Sequence, residues 1–144
     1  MTNTFIKIWV HAVFGTKDSL PLINETLESK LYNYIKSQLM LTYKIEVKIV
    51  NGIENHIHIL FLLNQNFAIK DIIQNIKGGS SHWINQNNLI ESKFSWQTGY
   101  AAYSVSESNL KKAEEYIRNQ KELHKKISFK EEYLLFIKKH KLTQ

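Results

Sequence analysis

The chain has 144 residues, no cysteine, 43% hydrophobic and 22% charged residues, a length that fits one domain with a real core. The lack of cysteine excludes a disulfide framework, a thiolate zinc site, an iron–sulfur cluster and a cysteine nucleophile. The longest apolar run, Ile59 to Leu63, is too short to span a bilayer, and no secretion signal follows Met1, so a soluble cytoplasmic protein is expected.

The net charge is +6, and it is uneven: Met1 to Asn109 carry nine basic and eight acidic residues, Leu110 to Gln144 ten and five. That balance suits nucleic acid or an anionic membrane surface, and equally a lysine-rich solvated helix face. Arg118 is the only arginine, the side chain best shaped for bidentate phosphate recognition.

In chain order, Phe5 to Phe14 reads as a first strand, with Ile6, Ile8, Val10, Ala12 and Phe14 on one face. The other face, Phe5, Lys7, Trp9, His11 and Val13, is half-polar. Asn24 caps a helix on which Leu27, Leu31, Tyr34, Ile35, Gln38 and Leu39 recur at helical spacing. Tyr43 to Val50 alternates again, with Ile45, Val47 and Ile49 inward, and Asn51-Gly52 signals a turn. His56 to Leu63 follows as a third, central strand.

Ile69, Ile72, Ile73, Ile76, Trp83 and Ile84 mark a second helix, interrupted in phase at Gly78-Gly79-Ser80-Ser81 and ended by Asn85 to Asn88. Gly99 to Val105 is a short fourth strand. Ser106 caps a third helix with a stripe of Leu110, Ala113, Ile117 and His124. Ser128 with Glu131 forms a capping box for a last helix holding Phe129, Tyr133, Phe136 and Ile137. The order β-α-β-β-α-β plus two helices predicts an α+β, ferredoxin-like antiparallel sheet in one domain over 1–144. Its core sheet would span about 3–106, a tyrosine-bearing helix about 107–125 and a C-terminal helix about 129–140.

Chemistry concentrates in Glu54-Asn55-His56-Ile57-His58-Ile59. Strand alternation puts His56 and His58 on one face, where two imidazoles can chelate a divalent ion or simply bond neighbouring backbone. No carboxylate stands at a spacing that completes a site locally. On the third helix, Tyr116 and Gln120 are four apart and share a face. Tyr116 is a potential covalent nucleophile for phosphorus, or a boundary tyrosine packed between helix and sheet. The Gln120 amide oxygen suits a hard cation.

Several ordered blocks make the chain recognisable. They are His11-Ala12-Val13-Phe14-Gly15-Thr16-Lys17, His56-Ile57-His58, Ile76-Lys77-Gly78-Gly79-Ser80-Ser81, Phe94-Ser95-Trp96-Gln97-Thr98-Gly99-Tyr100, Ser104-Val105-Ser106 and Tyr116-Ile117-Arg118-Asn119-Gln120. In these it resembles the single-tyrosine HUH transposases of the insertion-sequence 200/605 type, including those associated with repetitive extragenic palindromes.

The resemblance implies a homodimer acting on single-stranded DNA with hairpin ends, without a nucleotide cofactor. His56 and His58 would bind Mg²⁺ or Mn²⁺, with Gln120 completing the ligands. Tyr116 would attack the scissile phosphodiester, leaving a 5′-phosphotyrosine and a free 3′-hydroxyl. A 3′-hydroxyl of another strand then resolves the link. The tyrosine helix would sit in its own or the partner subunit's site.

DNA contacts are expected from Lys77 and Lys93 along the backbone and from Trp83, Trp96 and Tyr100 as stacking rings. Ser80 and Ser81 would permit close approach of the helix to DNA, and Arg118 would read phosphate or base.

The chain departs from the family pattern at Asn55, where an acidic residue is common, and at Leu123, where a histidine commonly pairs with His124. Where many relatives carry a further tail, it stops soon after its last helix. Two other readings are weaker: the third strand lacks the aromatics of an RNA-recognition motif, and Leu60 stands where a histidine-triad hydrolase needs a third alternating histidine. A domesticated or inactive relative that binds single-stranded nucleic acid is the alternative within the family.

Overall fold

The computed structural model describes residues 2–143. Four strands, β1 (Trp9–Gly15), β2 (Val47–Ile53), β3 (His56–Leu62) and β4 (Ala101–Val105), form one antiparallel sheet in the order β2-β3-β1-β4. Helix α1 (Glu25–Tyr43) joins β1 to β2, and α2 (Ile69–Gln86) joins β3 to β4. This is the split βαβ order expected from the sequence. Three further helices follow: α3 (Leu110–Arg118), α4 (Gln120–Leu123) and α5 (Phe129–Lys139).

The α1 and α2 face of the sheet holds the main core, with Val10, Ala12, Phe14, Ile57, Ile59 and Phe61 against Leu27, Leu31, Ile35, Ile72, Ile73 and Ile76. Each such Val, Leu, Ile or Phe side chain stabilises the fold by about 1.5–3 kcal/mol on burial. The opposite face, half-polar in sequence, is covered as well. Trp9 and Leu60 pack with Leu110 and Ile117 of α3, and Val13 and Ala101 pack with Phe136 of α5. Covering this second face is what buries His11, His56 and His58 completely.

Three local expectations change. β1 begins at Trp9, because the ladders to Leu62 of β3 and Val105 of β4 run out there; Phe5, Ile6 and Ile8 are exposed. In β2 a bulge between Val47 and Ile49 breaks the alternation, so Val47 packs toward α1 and α2 whereas Ile49 faces the α3 side. Asn51-Gly52 therefore lies inside the strand, and the β2–β3 turn is Glu54-Asn55. Glycine is required at 52, since a Cβ there would lie 2.0 Å from the His56 carbonyl oxygen.

Helix α2 runs unbroken through Gly78 and Gly79. Gly79 permits the approach of α1: a Cβ there would stand 2.9 Å from the Tyr34 hydroxyl, and the Tyr34 ring stacks on Trp83. The third helix, in contrast, is broken. It ends at Arg118, Asn119 leaves helical geometry at φ −93°, ψ 16°, and Gln120 opens the short α4. Asn51 Nδ2 donates to the carbonyls of Ile117 (2.9 Å) and Arg118 (3.2 Å), satisfying helix-end acceptors at the break. No described helix is long and apolar enough to cross a membrane.

Candidate active site

β3 delivers His56 and His58 to the α3–α5 side of the sheet, and the central position of β1 brings His11 beside them. His11 Nε2 lies 2.7 Å from His58 Nδ1, and His11 Nδ1 lies 3.0 Å from the Tyr103 hydroxyl on β4. Burial, followed by the neighbouring His58, holds His11 well below its ordinary range. It is thus a neutral ring able to accept from His58 and donate to Tyr103. That assignment leaves His58 Nε2 as a bare lone pair.

α5 closes the cluster. Its capping box, Ser128 with Glu131, is the one expected from sequence, and it sets the helix phase so that Phe129, Glu132 and Phe136 face the histidines. Phe129 stacks flat on His56 with centroids 3.9 Å apart. Gly15, paired with His56 in the sheet, makes room for that ring: a Cβ there would come within 2.6 Å of it. Glu132 is 2% exposed and is the centre of the network.

Its two oxygens divide the work. Oε2 accepts hydrogen bonds from Gln120 Nε2 at 2.7 Å and from the Tyr116 hydroxyl. Oε1 lies 2.8 Å from His124 Nε2, 3.2 Å from His56 Nε2 and 3.3 Å from His58 Nε2. Burial alone would raise the Glu132 carboxyl, but the adjoining His56 and His58 rings and the hydrogen bond from Tyr116 prevail and hold it well below the usual carboxylate range. Burial lowers His56 to about 4, against the partial pull of Glu132. Burial and the Glu132 charge together raise Tyr116, so its phenol is protonated at neutral pH.

This donor set suits a cation. Because Gln120 donates through Nε2 to Glu132, its Oε1 must face His56 Nε2, at 2.8 Å. His56 Nδ1 meanwhile bonds Asn55 Oδ1 at 2.9 Å, which places the proton on Nδ1 and a lone pair on Nε2. A lone pair, an amide oxygen and a carboxylate oxygen thus face one another, an arrangement that a positive ion resolves. Separations near 3 Å are those of adjacent ligands around an ion with bonds of about 2.1 Å. His56, His58 and Glu132 form a buried group able to hold a metal ion, their ligand atoms all within 4.8 Å of one another.

Sequence reading named His56, His58, Tyr116 and Gln120, and the structure brings all four together. Tyr116 and Gln120 do so from two helices, joined through Glu132 Oε2, and not from one helix face. Glu132 and His124 were missed as site residues. The signal for Glu132 was its place between Phe129 and Phe136 on the buried stripe of α5. A carboxylate on an apolar stripe is rarely buried without partners.

The residues expected to touch DNA are mostly elsewhere. Lys77, Ser80 and Trp96 stand on the α2 side of the sheet, away from the histidines. Ser80 is completely buried and accepts from Trp96 Nε1 at 2.9 Å. Trp96 packs edge-on against Phe14 and Phe94. The Lys77 ammonium is bonded to the carbonyls of Gln97 and Gly99. These three tie α2 to the 94–99 loop, on the face of the sheet opposite the histidines. Ser81 bonds back to the Gly78 carbonyl within α2. Arg118 is exposed and paired with Glu114 at 2.8 Å, and Lys93 is exposed.

No curated protein matches the chain. Among solved structures, it is similar to a protein of Deinococcus radiodurans R1 assigned as a transposase, with TM-score 0.65 and 18% identity, over 83% of this chain and 95% of that one. It is also similar to a REP-associated tyrosine transposase bound to a REP hairpin, with TM-score 0.62 and 14% identity, over 86% of this chain and 73% of that one. These likenesses establish the shared fold. Residues 4–120, most of the chain and with them both β3 histidines, Tyr116 and Gln120, match the family described as Transposase IS200 like, and the chain belongs to that family.

Proposed function

We propose that the protein cleaves and rejoins single-stranded DNA through Tyr116, as a metal-dependent strand transferase serving transposition. The observation that carries this reading is the convergence on Glu132 of the Tyr116 hydroxyl, the Gln120 amide and the His56 and His58 ring nitrogens. A nucleophile and a cation site within one hydrogen-bonded cluster suit in-line attack at phosphorus.

In the proposed step, the Tyr116 oxygen bonds to the scissile phosphorus and the bond to the 3′ oxygen breaks. The Tyr116 proton is relayed through Glu132 Oε2, its present hydrogen-bond acceptor, to water, and the departing 3′ oxygen takes a proton from water, so the two transfers balance. Reversal by another strand's 3′-hydroxyl restores the phenol and rejoins the DNA, so no nucleotide cofactor is consumed. His56, His58, Glu132 and Gln120 would hold the cation, Mg²⁺ or Mn²⁺, which supplies charge neutralisation at the phosphate. The two imidazoles favour Mn²⁺ of that pair.

The hairpin carried by the REP-associated relative supports a substrate with hairpin ends, and such a substrate places the protein in the cytoplasm. For assembly we propose a homodimer in which each chain uses its own Tyr116, because that phenol bonds Glu132 of the same chain.

The test is incubation with Mn²⁺ and single strands taken from the DNA flanking the gene. A denaturant-resistant protein–DNA adduct is expected, absent in Tyr116→Phe; an adduct that persists in Tyr116→Phe refutes the nucleophile. Mixing Tyr116→Phe with His58→Ala chains should restore nothing, and restored adduct would show that the site is completed between subunits.

A further inference from the structure

A groove of about 870 Å³ opens beside Tyr116, between edge strand β4, α3 and α5, with Tyr116 and Glu132 among its lining residues. Its lining is of three kinds. Lys112 of α3 and Lys139 of α5 stand on opposite walls, both exposed, and the ion pairs of the described residues engage neither. Tyr103 and His140 add an aromatic wall, stacked with centroids 3.5 Å apart and planes 17° apart. Leu135 of α5, 58% exposed, adds apolar surface. The one carboxylate in the lining, Glu132, is 2% exposed and engaged by the histidines, Tyr116 and Gln120.

We infer that this groove is the seat of the single-stranded DNA segment that carries the scissile phosphate to Tyr116. The inference rests on the strand-transfer reading above and adds where the strand lies. A single strand offers repeated phosphates and apolar base faces, and paired cations with an aromatic wall meet both. The open groove, about 870 Å³ in volume, has room for a short run of unpaired nucleotides. Lys112, Lys139 and Tyr116 line the same groove, so a phosphate drawn between the lysines shares it with the nucleophile. Lys77, Ser80 and Trp96, on the other side of the sheet, take no part.

The test compares the full chain with its Lys112→Ala/Lys139→Ala variant. The probes are two fluorescent oligonucleotides, a hairpin with a flanking single strand and the same hairpin without it. Each is titrated at several salt concentrations with Mn²⁺ present. For the flanked oligonucleotide, the slope of log affinity against log salt should shrink by about 1.4 in the variant, about 0.7 for each phosphate that a lysine no longer neutralises. The bare hairpin should bind both proteins alike, and thermal midpoints should agree, because both lysines are exposed.

An unchanged slope, or an equal weakening for the two oligonucleotides, overturns the groove. If wild type forms the Tyr116 adduct and the slope is unchanged, the groove falls and strand transfer stands. If no adduct forms but the lysine-dependent slope is found, strand transfer falls and the groove stands as a single-strand site. If wild type binds neither oligonucleotide, both fall.

Discussion

Glu132→Gln is the sharpest single perturbation of this centre, because it preserves volume and removes only the charge and one acceptor. In the folded chain Oε2 accepts from Gln120 Nε2 at 2.7 Å and from Tyr116, and Oε1 faces His124 Nε2 at 2.8 Å. An amide nitrogen at the first position would meet two donors. At the second, an uncharged amide oxygen or nitrogen would replace the only anion among the imidazoles. Hydrogen bonds to a charged group stabilise by about 1.5–3 kcal/mol each, so losing the two donated by Gln120 and Tyr116 costs about 3–6 kcal/mol.

At roughly 2–4 °C per kcal/mol for a chain of this size, the midpoint should fall by roughly 6–24 °C in metal-free buffer containing a chelator. Scanning calorimetry or circular dichroism measures it. Manganese at about a hundred times its dissociation constant should stabilise wild type by about 2.7 kcal/mol, and the variant should lose most of that gain. A metal-free midpoint within about 2 °C of wild type, on the same scale, would refute Glu132 as the anion that organises the centre.

Two further outcomes follow from the same geometry. His11→Phe removes the acceptor 2.7 Å from His58 Nδ1; Mn²⁺ affinity read by thermal shift should weaken about 10–100-fold, and unchanged affinity would show that His11 only fills space. Stability without metal should also depend on pH in a defined sense. Burial lowers His56 from 6.5 to about 4 and lowers His11 too, so across that interval the unfolded chain binds protons that the folded chain does not. Stability therefore falls as pH drops from 6.5 toward 4, by up to about 1.4 kcal/mol per pH unit for each such histidine. Glu132, held low in the fold, acts in the same direction below its unfolded value. Midpoints that stay level between pH 6.5 and 5 would contradict neutral, buried imidazoles.

The features legible in the sequence are those with a local cause. Alternation along His56 to Leu62 separates the imidazoles from Ile57, Ile59 and Phe61, and the structure keeps that separation. Asn24 and Ser128 cap their helices through side-chain bonds to Leu27 and Glu131. What was not legible has a distant cause. Gly78-Gly79 reads as a helix defect until Tyr34 of α1 is seen against Gly79. Asn51-Gly52 reads as a turn, but these residues answer to α3 carbonyls and to the His56 carbonyl. Trp96 and Ser80 have the chemistry of DNA contacts and are used on each other.

The carboxylate is the deepest instance. No spacing near His56 and His58 supplies an acidic ligand, and the family match ends at Gln120, twelve positions before Glu132. The group that joins nucleophile and imidazoles therefore enters from a helix outside the matched span. The β-α-β-β-α-β unit alone would leave His11, His56 and His58 on a face that only α3, α4 and α5 cover. Docking of those helices dries the imidazoles, which lowers His11 and His56. It brings Glu132 within 3.3 Å of His56, His58 and His124 and sets Lys112 and Lys139 at the groove beside Tyr116. The +5 balance after Asn109 thus acquires a position as well as a sign: its one buried carboxylate lies inside the cluster, and its lysines stand outside, where a polyanion would enter. On this geometry the centre is not a property of the sheet. It forms only when the last helices close over it.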